Sequence, residues 1–230
     1  MYLSEFIPNL ENKGIPMQKR QKPLKQWQAM LKRIFGEKNK RDSDSADLLL
    51  HVVEEASACA ESLRKENGAL ESPIAHMFSW LIAFATSLEI DMEEAVFQKY
   101  HGSCPYCGRK RNCICISSEK KPSRWFRDRS AKVPRSLAKW QRLFERIYGN
   151  VNKVAGREKI WLHLLEEIGE VSKAQRRKRM KTIKEELADV FAWLCSLSNL
   201  LGIDLDEIVS KTYPGKCDVC KKTTCICPLV

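Results

Sequence analysis

One order of residues occurs twice in this chain, about 113 positions apart, and it limits the fold more than any other feature. Trp27 and Gly36 answer to Trp140 and Gly149, and Trp80 answers to Trp193. His51-Val52-Val53-Glu54-Glu55 answers to His163-Leu164-Leu165-Glu166-Glu167, and Ile90-Asp91 to Ile203-Asp204. Each copy then ends in four cysteines. The pattern predicts a tandem duplication, with 230 residues divided between two similar units, each long enough for a core of its own.

Apolar residues at helical spacing make both copies all-α in expectation. A first helix begins near Leu24, places Trp27, Met30, Leu31 and Ile34 on one face, and closes at Gly36. The charged segment from Glu37 to Asp44 reads as a loop. A long helix follows over Ser45–Glu66, Ser72-Pro73 caps and starts a third that runs to about Leu88, and Asp91 starts a short fourth that ends before Gly102. The resulting division is an N-terminal arm at 1–23, helical units at 24–103 and 136–216, cysteine tails at 104–115 and 217–230, and a basic linker at 116–135. Tyr2, Phe6 and Ile7 would pack the arm. In the linker, Trp125-Phe126 among arginines suits either docking onto a domain or stacking on nucleic-acid bases.

The copies differ in their acids. In the second, Glu167 and Glu170 are three apart, as are Glu186 and Asp189, so each pair projects from one helical face. Isolated acidic doublets are usually solvated faces. Here Leu162, Leu165, Ile168 and Val171 surround one pair, while Leu187, Val190, Phe191 and Leu194 surround the other, so both border a core. Two acidic faces meeting in a bundle repel unless a hard cation lies between them, and Mg²⁺ accepts such oxygen ligands while keeping room for phosphate. The first copy has Ala58 in place of Glu170, and Pro73 and His76 in place of Glu186 and Asp189. Glu54 and Glu55 alone cannot enclose the ion.

Glu-x-x-Glu followed after a spacer by Glu-x-x-Asp, over roughly residues 137 to 213, resembles the MazG-type nucleoside triphosphate pyrophosphohydrolases. The resemblance implies two tandem MazG-like four-helix units forming a pseudo-dimer, with a degenerate first unit replacing a second subunit. It implies a Mg²⁺-dependent enzyme that hydrolyses a nucleoside triphosphate to monophosphate and pyrophosphate. Glu167, Glu170, Glu186 and Asp189 would bind the metal and Glu166 would serve as a further catalytic carboxylate. Trp193, one turn beyond Asp189, is a candidate to border the base, with core packing as the alternative. Lys181 and Arg179 belong to a basic stretch, Ser172–Lys184, that suits phosphate clamping or a solvated turn. His163, one turn before Glu167, is a substrate-contact candidate whose ordinary alternative is a hydrogen-bonded core residue. Family members commonly follow the last helix with phosphate-binding Lys and Asn residues, whereas Lys211-Thr212-Tyr213-Pro214 leads here into cysteines.

Those cysteines read as two structural Zn²⁺ knuckles, Cys104, Cys107, Cys113 and Cys115 in one and Cys217, Cys220, Cys225 and Cys227 in the other. Short internal spacing leaves open ligand sharing between halves, an iron–sulfur cluster, or a redox disulfide. Cys59 and Cys195 fall on apolar helix faces as ordinary thiols. The net charge of +11 favours polyanionic partners, nucleotide or nucleic acid. No apolar run is long enough for a membrane span and the start lacks a signal-peptide pattern, so a cytoplasmic protein is expected, with homo-oligomers through the helical units an option. The rival function is a nucleotide-sensing or nucleic-acid-binding regulator without turnover, favoured by the basic linker and opposed by the intact acids.

Overall fold

The computed structural model describes residues 22–66, 68, 70–115 and 130–228, and among them there are eight helices and no strands. The expectations for the arm before residue 22 and for Trp125-Phe126 lie outside these residues. The helices are α1 (Leu24–Asp42), α2 (Ser45–Lys65), α3 (Glu71–Ser87) and α4 (Met92–Lys99), then α5 (Leu137–Ala155), α6 (Arg157–Arg176), α7 (Met180–Leu200) and α8 (Leu205–Thr212).

Helix α1 does not stop at Gly36 but continues to Asp42, so most of the charged stretch expected as a loop forms its last turns and only Ser43 and Asp44 lie between α1 and α2. A glycine inside a helix costs only about 1 kcal/mol relative to alanine. Full burial of Trp27 and Ile34 outweighs that, so the expected stop is overridden. Helix α3 likewise begins at Glu71, with Ser72 inside its first turn rather than capping it. Other boundaries follow local chemistry. Asp44 accepts from the amides of Ala46 and Asp47 while Asp47 reaches back to the Asp44 amide, a reciprocal cap for α2. Asp91 and Asp204 cap α4 and α8 through the same bond, 3.0 Å to the amides of Glu94 and Glu207. Gly156, at φ 86°, separates α5 from α6 by a single residue in a conformation that side-chain-bearing residues rarely adopt.

Packing sets where these helices go. Within each half the long helices pair in order, α2 on α3 and α6 on α7, with α1 against α3 and α5 against α7. The short helices behave differently. After α3 the chain bends by 97° into α4, and after α7 by 100° into α8. These turns send α4 onto α7 and α8 onto α3, so each half delivers its last helix to the other. A glutamine fixes each turn: Gln28 bonds the Ile90 carbonyl and the Met92 amide, and Gln141 bonds the Ile203 carbonyl and the Leu205 amide. One continuous core spans both halves. At its centre Phe78 of α3 lies 6.5 Å from Phe191 of α7, and Phe191 meets Trp140 and Phe144 of α5 edge-on at 6.3 and 6.1 Å. Among the described residues no single helix is long and apolar enough to cross a membrane.

Candidate functional site

Helices α6 and α7 are joined by a turn of only three residues, Arg177 to Arg179, so they lie side by side and antiparallel. Apolar residues Ile160, Leu164, Ile168 and Val171 turn one stripe of α6 inward, and Glu167 lies beside that stripe. On α7, Glu186 and Asp189 sit among buried residues on both sides. Carboxylate oxygens of Glu167, Glu186 and Asp189 converge within 4.8 Å of one another. Three acids in so small a space cannot all ionise cheaply, and the Glu167 carboxyl is pushed up to about 8, by burial first and then by the charges of Asp189 and Glu186.

Two residues from the first half reach this trio. Lys99, the last residue of α4, extends its ammonium onto Asp189 and donates to the Glu185 carbonyl at 3.1 Å. Both partners are buried, with side chains 3% and 8% exposed. Next to it the Tyr100 hydroxyl donates to the other Asp189 oxygen at 2.6 Å. Burial and the Asp189 charge hold the phenol well above its ordinary pKa, so it remains a donor. A third residue, Tyr106 of the first cysteine tail, is held in its protonated form by burial and by the same three acids. None of the three was singled out from the sequence. The available signal was the position of Lys99 and Tyr100 at the end of a short helix, directly before the first cysteine tail.

The remaining candidates are placed as follows. Glu170 stands apart from the trio, bonded through both oxygens to Lys173 at 3.0 and 3.1 Å. Glu166 is exposed and lies 3.3 Å from His163 Nδ1. The His163 ring stacks on Trp193 at 4.8 Å, and Trp193, partly buried and packed against the core, also hydrogen-bonds Glu167, so this aromatic pair lies where the core meets the acid cluster. Arg179 and Lys181 project into solvent, Lys181 almost fully, and the basic stretch is helical on both sides of the turn at 177–179.

The matching place in the first half holds different groups around the same geometry. His51 stacks on Trp80 at 4.1 Å. His76, where α7 has Asp189, sits between Glu55 at 3.5 Å and Asp218 of the second cysteine tail at 3.3 Å. The Asp218 bond first and the Glu55 bond next raise its pKa to about 9, so an imidazolium occupies the centre of this acid pair.

Each cysteine cluster gathers its four Sγ atoms from one half alone, all within 4.8 Å. Observed separations of 3.5 Å for Cys104–Cys113, 3.7 Å for Cys107–Cys113 and 3.8 Å for Cys217–Cys227 match the roughly 3.8 Å edge of a tetrahedron with 2.3 Å Zn–S bonds. Cys104 is lowered to about 5, chiefly by its bond from the Cys113 thiol, and Cys220 to about 6 by backbone amides led by that of Ile226. Each cluster therefore already favours a thiolate. Cys59 and Cys195 are buried, and burial pushes Cys59 up to about 12, as inert thiols require.

Comparison with known proteins bears on the second half. Residues 155–216, which contain α6, α7 and α8, match the family model of the MazG nucleotide pyrophosphohydrolase domain. No curated protein and no solved structure matches the chain.

Proposed function

We propose, from the premise that residues 155–216 form a MazG nucleotide pyrophosphohydrolase domain, that this chain hydrolyses nucleoside triphosphates between the α and β phosphates, releasing monophosphate and pyrophosphate. The observation that carries the reading is the acid trio of half-buried Glu167 with buried Glu186 and Asp189, an arrangement unfavourable without a cation and met by a lysine from the other half. Those three carboxylates would hold Mg²⁺, with Glu170 joining from the next turn of α6 once released from Lys173. Oxygen donors on two facing helices suit that ion. When bound, Mg²⁺ would orient the triphosphate and spread the charge that develops on its oxygens.

The chain's own residues do the rest. Lys99 supplies the cationic phosphate contact that Lys211, 3.8 Å from Glu71, does not bring to the acids. Tyr100 fixes the orientation of Asp189. Trp193, held by His163 on one face and by Glu167 at its edge, borders the base. Glu166, exposed at the rim, is a base candidate by position only. Arg179 and Lys181 lie exposed at the turn that joins α6 to α7, where a phosphate would first be met.

The same reading assigns the first half the role of a second subunit. Its support is the recurrence of the glutamine clamp, the aspartate cap, the His–Trp stack and the crossed short helix in each half. The two cysteine clusters would carry structural Zn²⁺.

The test is pyrophosphate release across ribo- and deoxyribonucleoside triphosphates with Mg²⁺, beside Glu167→Gln and Glu170→Ala. Glu167→Gln preserves the shape of the carboxyl, which burial and the neighbouring acids favour in its neutral form when no cation is bound. Turnover abolished by Glu167→Gln supports the enzyme. Folded, metal-replete wild type that turns over no nucleotide defeats it and leaves nucleotide or nucleic-acid binding without turnover.

A further inference from the structure

The first cysteine cluster belongs to the first half in sequence but is fastened to the second half in space. The Cys113 amide donates to the Ile147 carbonyl at 2.7 Å, and the Asn112 amide to the Arg146 carbonyl at 3.1 Å. Arg146 Nε donates to the Lys110 carbonyl at 3.1 Å and Asn150 Nδ2 to the Cys113 carbonyl at 3.2 Å. All of these join the cluster to α5. Only three residues separate Cys104 from Tyr100, and Tyr100 packs edge-on against Phe144 and Tyr148 of the same helix at 5.1 and 6.4 Å. The segment from Lys99 to Cys115 is thus pinned at one end by Asp189 and at the other by α5. The second cluster has a counterpart bond to α1, from the Cys225 amide to the Ile34 carbonyl at 2.7 Å, and is directed at the first half instead.

We propose that the first four-cysteine cluster is a positioning element for the second half's acid site. Metal bound by Cys104, Cys107, Cys113 and Cys115 closes the tail into a rigid knuckle on α5, and this knuckle holds the Lys99 ammonium and the Tyr100 hydroxyl on Asp189. The inference rests on the pyrophosphohydrolase reading for its substrate but on the cross-half contacts for its mechanism. A tetrahedral site fixes a short loop that has little core of its own. Without it, the chain from Gly102 onward loses its anchor, and Lys99 is free to leave the trio.

The consequence is a crossed signature. A lysine held at Asp189 opposes a divalent cation that arrives alone, because like charges compete for one carboxylate. The same lysine favours a cation that arrives with a triphosphate, because the phosphate oxygens accept the ammonium. Loosening the knuckle therefore strengthens one interaction and weakens the other, which general loss of structure does not do.

The experiment uses the full chain with Zn²⁺ stoichiometry and helicity verified. Binding of Mn²⁺ alone is followed by electron paramagnetic resonance, and binding of an α,β-methylene nucleoside triphosphate with Mg²⁺ by calorimetry. The variants are Cys113→Ser, which opens the cluster, Asn150→Ala, which removes one of its bonds to α5 with all cysteines present, and Cys225→Ser, which opens the other cluster. Cys113→Ser is expected to bind Mn²⁺ about tenfold more tightly and the magnesium–nucleotide analogue about tenfold more weakly, the scale of moving one neighbouring charge. Asn150→Ala should shift both in the same directions by less, and Cys225→Ser should show no crossed pattern. Parallel weakening of both ligands in Cys113→Ser and Asn150→Ala, or no shift in either, overturns the proposal. Wild type that binds no nucleotide analogue defeats the pyrophosphohydrolase reading, and the Mn²⁺ arm then still decides whether the knuckle positions Lys99.

Discussion

The Tyr100 hydroxyl donates to Asp189 at 2.6 Å across 89 residues of sequence, and Lys99 takes the other oxygen of the same carboxylate. Asp189 is therefore satisfied from the half that lacks the acids. A substitution in the first half should accordingly be felt at the chemistry of the second.

Lys99→Met tests that dependence. The methionine fills a similar space but leaves Asp189 buried beside Glu167 and Glu186 without its cation. Breaking a buried ion pair on one side costs about 3 kcal/mol. Urea unfolding of metal-free protein should show a loss of that size. Added Mg²⁺ should stabilise the variant more than wild type, because the ion supplies the charge the lysine gave.

Glu167 makes the metal-free site sensitive to pH. Its carboxyl is pushed up to about 8 in the folded chain against an ordinary 4.5, by burial and then by Asp189 and Glu186. Between those values the folded state keeps a proton that the unfolded state has lost, so stability on this account falls as pH rises from about 4.5 to about 8 and levels above. Glu167→Gln should remove that slope from urea midpoints measured across the window. Mg²⁺ must displace the same proton, so wild-type Mg²⁺ affinity should climb with pH until about 8.

What could be read from the sequence was what is local. Helical period, the Asp91 and Asp204 caps and the three-residue spacing of the acids depend on neighbours within a turn, and α6 and α7 hold the expected residues. Glu170 shows the limit: it stands three residues from Glu167, the spacing that brings Glu186 and Asp189 together, yet it pairs with Lys173 one turn further along α6 instead of joining the trio. Lys99 and Tyr100 were beyond reach because their partner is set by which half α4 crosses to. That crossing depends on a 97° bend and on packing against α7, neither of which has a short sequence signature.

Gly169 offers a check on which face of α6 is turned inward. It lies between Glu167 and Glu170 in sequence but faces solvent, and a Cβ built there meets nothing within 4 Å. Alanine restores helix propensity, so Gly169→Ala should raise stability by about 1 kcal/mol. Calorimetry should show a melting temperature higher by about 2 to 4 °C for a chain of this size. A fall would mean that this face is packed.

His76 decides whether the first half needs a metal at all. It stands where α7 carries Asp189, and its neighbours Asp218 and Glu55 raise its pKa to about 9, so the imidazolium neutralises the acids that a cation would otherwise have to serve. A histidine whose folded pKa lies above its unfolded value of 6.5 contributes stability fully below about 6.5, and that contribution is lost as pH rises through about 9. Titration of the His76 ring by NMR should therefore give a midpoint near 9, and Asp218→Asn should lower it, since the Asp218 bond is the largest cause of the shift. The imidazolium also excludes a divalent ion from this half by charge. Mn²⁺ relaxation should then broaden resonances near Glu186 and spare those near Glu55, whereas broadening at both places would show that His76 does not replace a metal.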